Sequence, residues 1–131
     1  MLEISVAMAS YPSPAIAEKS FIYRTLGLGF ANLGTVLMQL GIPYASADGT
    51  AMAGAIAAVM CGESYATSAE MAGELGAFEG FERNRDAMLR VIRNHRNAAY
   101  GATDGYETLA IKPVALDLVN CPDKDLTKLA M

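Results

Sequence analysis

Cysteine, histidine and tryptophan are scarce in this sequence. Among its 131 residues there are two cysteines, one histidine and no tryptophan. The isolated pair Cys61 and Cys121 provides neither a disulfide framework nor the ligand set of a structural zinc site. No metal site is therefore predicted, and a reducing, cytoplasmic environment is the expected location.

Positive charge is also limited. Ten Lys and Arg residues stand against 14 Asp and Glu residues, which leaves a net charge of −4. A strongly basic nucleic-acid binder is thereby excluded as an interpretation of the whole chain. Basic residues cluster only at positions 82–96, but Glu82 and Asp86 dilute this cluster and no aromatic residues interleave it. A solvated or salt-bridged face is favoured over a phosphate-binding one. The cluster comprises Arg83, Arg85, Arg90, Arg93 and Arg96.

Signals for export and for membrane insertion are lacking as well. The N-terminus carries Glu3 and has no basic residue ahead of its apolar stretch, unlike a signal peptide. The longest uncharged run, residues 25–47, has the length of a membrane span. It contains Asn32, Gln39, Pro43 and four glycines, however, so we expect no membrane span.

Apolar residues are abundant, at 53% of the chain, and their spacing predicts a mainly α fold. Three long helices are predicted, together with shorter helices near the N-terminus and after Pro122, and an extended stretch. The part of the chain after about residue 101 is expected to be rich in loops. The predicted long helices are residues 24–40, 46–75 and 84–99, the shorter ones are 1–10 and 14–19, and the extended stretch is 109–116.

Local signals support the predicted helix ends. Ser13 followed by Pro14 is a favourable helix start, and Ser46 or Asp48 can cap the middle helix. Gly41 is suited to the C-terminal end of the helix before it. In contrast, the first helical segment has no N-cap, which suggests that the chain is an internal piece of a longer protein.

The middle helix is apolar around most of its circumference, which is typical of a helix enclosed within a larger structure. A domain of three helices cannot cover such a helix on every side. We therefore expect one partial domain over residues 1–131, whose apolar surfaces require further chain, a partner subunit or lipid.

A glycine-rich stretch, Gly27-Leu-Gly-Phe-Ala-Asn, begins like a dinucleotide-binding fingerprint. The third glycine is missing and no strand is predicted before it, so close helix packing at Gly27 and Gly34 is the favoured interpretation.

Three residues are candidates for chemistry, and in each case a structural role is favoured. Cys61 has Glu63 two positions later, but such residues point to different faces of a helix, so a buried small hydrophobe is expected. Cys121 precedes a predicted helix start, where the dipole favours a thiolate, although a plain loop residue is the preferred interpretation. His95 lacks partners for a metal site, and a catalytic role for it is disfavoured.

Several blocks of the sequence nevertheless resemble a known family. Residues 23–38, Tyr-Arg-Thr-Leu-Gly-Leu-Gly-Phe-Ala-Asn-Leu-Gly-Thr-Val-Leu-Met, and the preceding Met8-Ala-Ser-Tyr-Pro-Ser resemble the large catalytic chain of ribonucleotide reductases. The Arg-rich block at 84–96, Asn-Arg-Asp-Ala-Met-Leu-Arg-Val-Ile-Arg-Asn-His-Arg, and Asn120-Cys-Pro look most like the adenosylcobalamin-dependent class. The resemblance extends over residues 2–126.

This resemblance implies a ten-stranded α/β barrel in a much longer chain, with adenosylcobalamin as cofactor and a nucleotide as substrate. In that family a cysteine becomes a thiyl radical and abstracts the 3′ hydrogen of a ribonucleotide, and the cofactor supplies the difficult step. The implied activity is that of a cobalamin-dependent ribonucleoside-diphosphate reductase. The partner of this segment would be the rest of the reductase chain.

The catalytic finger-loop motif of the family, Asn-x-Cys-x-Glu, is not reproduced here. Cys61 is followed by Glu63 but has Val59 in place of the asparagine, and it lies in a different segment. No catalytic role therefore passes to Cys61 or Cys121, and cofactor-binding residues remain unassigned. The expectation is a helical layer of the barrel that is inactive alone.

Two other kinds of function remain open from the sequence. The first is a small, standalone helical interaction protein that buries its apolar middle helix by self-association. The second, less favoured, is a phosphate or nucleic-acid binder that uses the arginine helix; its binding would weaken steeply with salt. Direct nucleic-acid binding is not expected.

Overall fold

The computed structural model describes residues 1–131 and contains six helices and no β-strand. Residues 100–123 join the last two helices through turns and irregular backbone. None of the helices combines the length and the apolar character needed to cross a bilayer. The helices are α1 (Leu2–Ala7), α2 (Pro14–Tyr23), α3 (Leu33–Gln39), α4 (Ala47–Leu75), α5 (Phe81–Ala99) and α6 (Lys124–Leu129).

The predicted start of α2 is confirmed. Ser13 is the N-cap, and its hydroxyl oxygen accepts a hydrogen bond from the backbone N–H of Ile16 at 3.4 Å. Pro14 occupies the first helical position, where its missing N–H costs nothing. The helix continues to Tyr23, beyond the expected end at residue 19.

The prediction of one continuous helix over residues 24–40 is wrong. Arg24 ends α2 in the left-handed conformation, with φ 49° and ψ 40°, and helical structure resumes only at α3. Gly27 and Gly29 lie in the interruption, and each glycine costs a helix about 1 kcal/mol relative to alanine. The guanidinium of Arg24 binds the carboxylate of Glu3 on α1, which holds the chain at this break.

The N-terminus of α4 has the predicted serine cap. The Ser46 hydroxyl accepts a hydrogen bond from the N–H of Gly49 at 3.0 Å and donates one to the carbonyl of Pro43 at 2.6 Å. Asp48 lies in the first turn, where a negative charge favours the helix dipole. The cap joins the helix start to the turn before it.

Replacement of Ser46 by alanine is expected to lower the free energy of unfolding by about 1 kcal/mol, the usual cost of a lost N-cap. The change would be measured as a lower helix content and an earlier urea midpoint in far-UV circular dichroism. Ser68→Ala is the matched control, since Ser68 is an exposed residue in the interior of the same helix. Equal effects of the two substitutions would contradict a capping role.

A small core joins α4 to the C-terminal segment. Ala51 and Ala55 of α4 pack with Cys121 and Ala130, and the most extensive helix–helix packing is between α4 and α6. The predicted helix after Pro122 is confirmed as α6, which starts from an Asp123 cap. The partly buried residues around this core are Ala58, Val59, Leu116, Leu118 and Leu126.

Most apolar side chains lie outside this core. The accessible surface is 9414 Å², whereas a compact monomer of 13.8 kDa exposes about 6,600 Å². Helix α4 has buried residues only in its first third, so this chain does not cover its apolar surface on every side. Large hydrophobic residues that are more than two-thirds exposed include Met38, Tyr44, Leu75, Ile111, Val114 and Val119.

The third predicted long helix is confirmed as α5, which begins three residues earlier than expected. The ring of Phe78, in the preceding loop, meets the ring of Phe81, the first residue of α5, edge to face at 5.6 Å between centroids. The N–H of Gly80 donates to the carbonyl of Ile22, so this loop is attached to the end of α2.

The predicted extended stretch at 109–116 is irregular and pairs with no strand.

Candidate functional site

The side chains of Cys61 on α4 and His95 on α5 meet in the folded chain. The Cys61 Sγ lies 3.5 Å from the His95 Nδ1, although the two residues are 34 positions apart. Depending on the tautomer and the state of the sulfur, the thiol donates to the imidazole or the imidazole N–H donates to the thiolate. A nucleophile and a proton acceptor are thus in contact.

Tyr65 completes this group of side chains. It lies one helical turn after Cys61, and its ring meets the His95 ring edge to face at 5.6 Å between centroids. Burial raises the pKa of the Tyr65 hydroxyl above its ordinary value, and the neighbouring Cys61 raises this pKa further. Tyr65 thus stays a neutral phenol at neutral pH and packs as an aromatic wall beside the imidazole.

The expectation of a buried Cys61 is wrong, since this residue is only partly covered. It lies on α4 outside the small core and is not among the residues packed against that core. His95 is exposed and also lines a cleft of about 200 Å³. The other residues of the cleft are Val91, Asn94, Ala98, Leu109 and Pro113.

Cys121 is a loop residue, as predicted, but a completely buried one. Its side chain is 0% exposed among the alanines of the small core, and its Sγ lies 3.5 Å from the carbonyl of Asp123. The ammonium of Lys124 donates to the Cys121 carbonyl at 3.0 Å. Within this fold the thiol is shielded from reagents, so the two cysteines of the chain differ sharply in access.

Helix α5 holds the arginine cluster, and some of these arginines make contacts within the chain. The guanidinium of Arg93 makes a two-point contact with the Glu107 carboxylate, at 2.6 and 2.9 Å. Asn94 supports the same loop, since it accepts from the Glu107 N–H and donates to the Glu107 carbonyl. Arg83 stacks on the Tyr23 ring at 5.7 Å and binds its hydroxyl. For Arg93, the ion pair with Glu107 agrees with the prediction that the arginine cluster forms a solvated or salt-bridged face.

The hydrogen bond from Arg93 lowers the pKa of the Glu107 carboxyl below its ordinary value. A carboxyl whose pKa is lowered by folding stabilises the folded chain at any pH above its unfolded-state pKa. This stabilisation is lost as the pH falls through the folded-state pKa. The ordinary pKa of a glutamate carboxyl is 4.5. Acidification from neutral pH to below this value is therefore expected to reduce the stability of the native chain more than that of Glu107→Gln.

The test is the urea midpoint of each chain at neutral and at acidic pH. Glu74→Gln is the control, because Glu74 is an exposed acid at the end of α4 with no ion pair. That variant should keep the acid sensitivity of the native chain. An identical loss in the native chain and in Glu107→Gln would refute the contribution of the Arg93 contact.

The glycine-rich stretch neither binds a helix closely nor follows a strand. A side-chain carbon placed on Gly27, Gly29 or Gly34 would meet nothing within 4 Å. The expected close helix packing at Gly27 and Gly34 is therefore not present in this chain. A neighbouring backbone at these glycines would have to come from outside the chain.

Tyr65 and the contact between Cys61 and His95 were not predicted from the sequence. The only available signal was the spacing of four between Cys61 and Tyr65, which places both on one face of a helix. Nothing in the sequence indicates that His95, on another helix, lies against that face. No group of three or more metal-ligating side chains is present around it.

Comparison with known proteins defines the class of this chain. Residues 1–110 match the family described as ribonucleotide reductase, barrel domain. Because the match covers most of the chain, the protein belongs to this family.

The relatives narrow the class to the vitamin B12-dependent reductases, and the resemblance noted in the sequence is confirmed. The chain is 63% identical to the vitamin B12-dependent ribonucleotide reductase of Agrobacterium fabrum and 60% identical to that of Bradyrhizobium diazoefficiens, in each case over 96% of its own length. A vitamin B12-dependent ribonucleoside-diphosphate reductase of Mycobacterium tuberculosis is 28% identical over 83% of the chain and 16% of the relative. The chain spans about 10% of the length of the first two relatives.

Proposed function

We propose that this chain is a helical layer of the barrel domain of a vitamin B12-dependent ribonucleotide reductase. The whole enzyme would reduce ribonucleoside diphosphates to deoxyribonucleotides by thiyl-radical chemistry that adenosylcobalamin initiates. The high identity to B12-dependent reductases, over 96% of this chain but 10% of theirs, supports this assignment. The partner of this segment is then the rest of the reductase chain.

The observation that carries the proposal is the excess of exposed apolar surface. The accessible area exceeds that of a compact monomer by almost half, and isolated proteins rarely expose large contiguous apolar patches. A layer that packs against a barrel would bury this surface. The residues that would face the barrel are apolar positions of α3, α4 and the 109–119 segment, including Met38, Ile111 and Val114.

We expect this segment alone to bind no cobalamin. Two clefts on its surface measure about 440 and 200 Å³, and both open widely to solvent. Pockets for drug-sized ligands measure about 300–1,000 Å³ and enclose most of the ligand, and cobalamin is larger than such ligands. In the proposed enzyme, other parts of the chain hold the cofactor, and this segment contributes no ligand to it.

The isolated chain is therefore expected to be inactive. Incubation with a ribonucleoside diphosphate, adenosylcobalamin and a dithiol should yield no deoxynucleotide, as measured by chromatography. A full-length B12-dependent reductase under the same conditions is the positive control. Deoxynucleotide above a protein-free reaction would contradict the proposal that this chain is only a structural layer.

Self-association is the alternative way to cover the same apolar surface. Analytical ultracentrifugation at micromolar concentration separates the two interpretations. A defined oligomer with a cooperative thermal transition would support a standalone interaction protein. A polydisperse or loosely packed chain that becomes monodisperse when mixed with the remainder of the reductase would support the proposed layer.

A further inference from the structure

We propose that Cys61 is a thiol–disulfide exchange site in which His95 is the proton acceptor and small, uncharged disulfides are the substrates. The proposal depends on the contact between α4 and α5 and not on the radical chemistry of the proposed reductase. The 3.5 Å separation of the Cys61 Sγ and the His95 Nδ1 is the distance of a sulfur hydrogen bond. An imidazole in this position can take the thiol proton as the sulfur attacks.

Access distinguishes this thiol from the other one in the chain. Cys61 is partly exposed, whereas Cys121 is 0% exposed within the alanine core. A reagent therefore reaches Cys61 in the folded chain, but it reaches Cys121 only after local opening. Unequal reactivity of the two thiols is a direct consequence of this packing.

The surroundings of His95 favour an uncharged substrate with an apolar leaving group. Cys61 is not part of the cleft that His95 lines, but its partner His95 is, so the leaving group that takes the proton from His95 would lie in this cleft. The cleft is formed mainly by apolar side chains, among them Val91, Leu109 and Pro113. Its one polar neighbour, Asn94, is already hydrogen-bonded to the backbone of Glu107. No free charged group is thus present in the cleft to bind an ionic disulfide.

The exchange reaction requires only the Cys61 thiol, the His95 imidazole and the disulfide. The thiol proton of Cys61 passes to the His95 Nδ1, and the sulfur attacks one sulfur of the disulfide. A new bond joins the Cys61 Sγ to that sulfur while the original S–S bond breaks. The leaving thiolate takes the proton from the imidazolium, so Cys61 is oxidised to a mixed disulfide and half of the reagent is reduced to a thiol.

The experiment uses dithiodipyridine as the probe and the 131-residue chain as the protein. Mass spectrometry of peptides from quenched samples gives the rate of modification at each cysteine. We expect Cys61 to react about tenfold faster than Cys121 or more, because Cys121 reacts only after local opening. His95→Gln should slow the Cys61 reaction about tenfold or more at neutral pH, because the general base is lost.

Two controls make the result decisive. Arg96→Gln removes the neighbouring exposed residue on α5 and should leave the Cys61 rate unchanged. In concentrated urea the two cysteines should react at equal rates, and His95→Gln should have no effect, because the helix contact is lost. Equal rates for the two cysteines without urea, or a Cys61 rate insensitive to His95→Gln while Cys121 stays protected, would overturn the proposal.

Discussion

Replacement of Ala55 by aspartate is expected to separate α6 from α4 and to release the C-terminal segment. Ala55 is 0% exposed in the centre of the only small core of the chain, against Cys121. An ionised carboxylate there would have no partner, and an uncompensated buried charge costs about 3–5 kcal/mol. Because the core consists of few residues, no other contact compensates for such a loss.

The release would be seen in two measurements. The helix content in far-UV circular dichroism should fall, and the rate at which dithiodipyridine modifies Cys121 should rise to that of an unfolded peptide. Ala57→Asp introduces the same side chain into the same helix at an exposed position, and should leave Cys121 protected. A protected Cys121 in Ala55→Asp would show that the packing of Ala55 is not what shields Cys121.

Replacement of Gly49 by alanine is expected to destabilise the chain by about 1–2 kcal/mol, although alanine is the better helix former. An added side-chain carbon would lie 2.8 Å from the Pro43 carbonyl oxygen and 2.9 Å from that of Tyr44. Both atoms belong to the backbone, so the turn before α4 would have to move. Overpacking of this kind typically costs about 1–3 kcal/mol and outweighs the gain of about 1 kcal/mol in helix propensity.

Gly62→Ala is the matched control on the same helix. Nothing lies within 4 Å of the position that its side chain would occupy, so the full propensity gain of about 1 kcal/mol is expected. The urea midpoints of the two variants should therefore move in opposite directions from that of the native chain. A rise in the midpoint for both variants would mean that the turn at residues 43–46 is not packed against α4.

Local sequence signals were sufficient for much of the secondary structure. A capping serine before Pro14, and Ser46 ahead of an alanine-rich run, each satisfy backbone N–H groups that a helix start leaves unpaired. These signals act within one helical turn, so they can be identified from neighbouring residues alone. The starts of α2 and α4 were accordingly predicted at the positions that the structure shows.

Local signals were insufficient where contacts between distant residues decide the backbone conformation. The apolar spacing over residues 24–40 indicated one helix, but residues 24–32 are not helical, and the side chain of Arg24 binds Glu3 from 21 positions earlier. Two glycines in the following residues make the helix weak enough for that contact to prevail. Periodicity records which residues can share a face, and it contains no information on a partner elsewhere in the chain.

The sequence by itself determined the family, the mainly helical character and the caps that start α2 and α4, because each depends on residues close together in the chain or on blocks that can be matched directly. Only the tertiary structure decided that Cys61 contacts His95, that Cys121 is enclosed, and that Arg93 is engaged by Glu107. Each of these facts depends on how separate segments are brought together. Their relative placement follows from packing over the whole chain, and no local pattern specifies it.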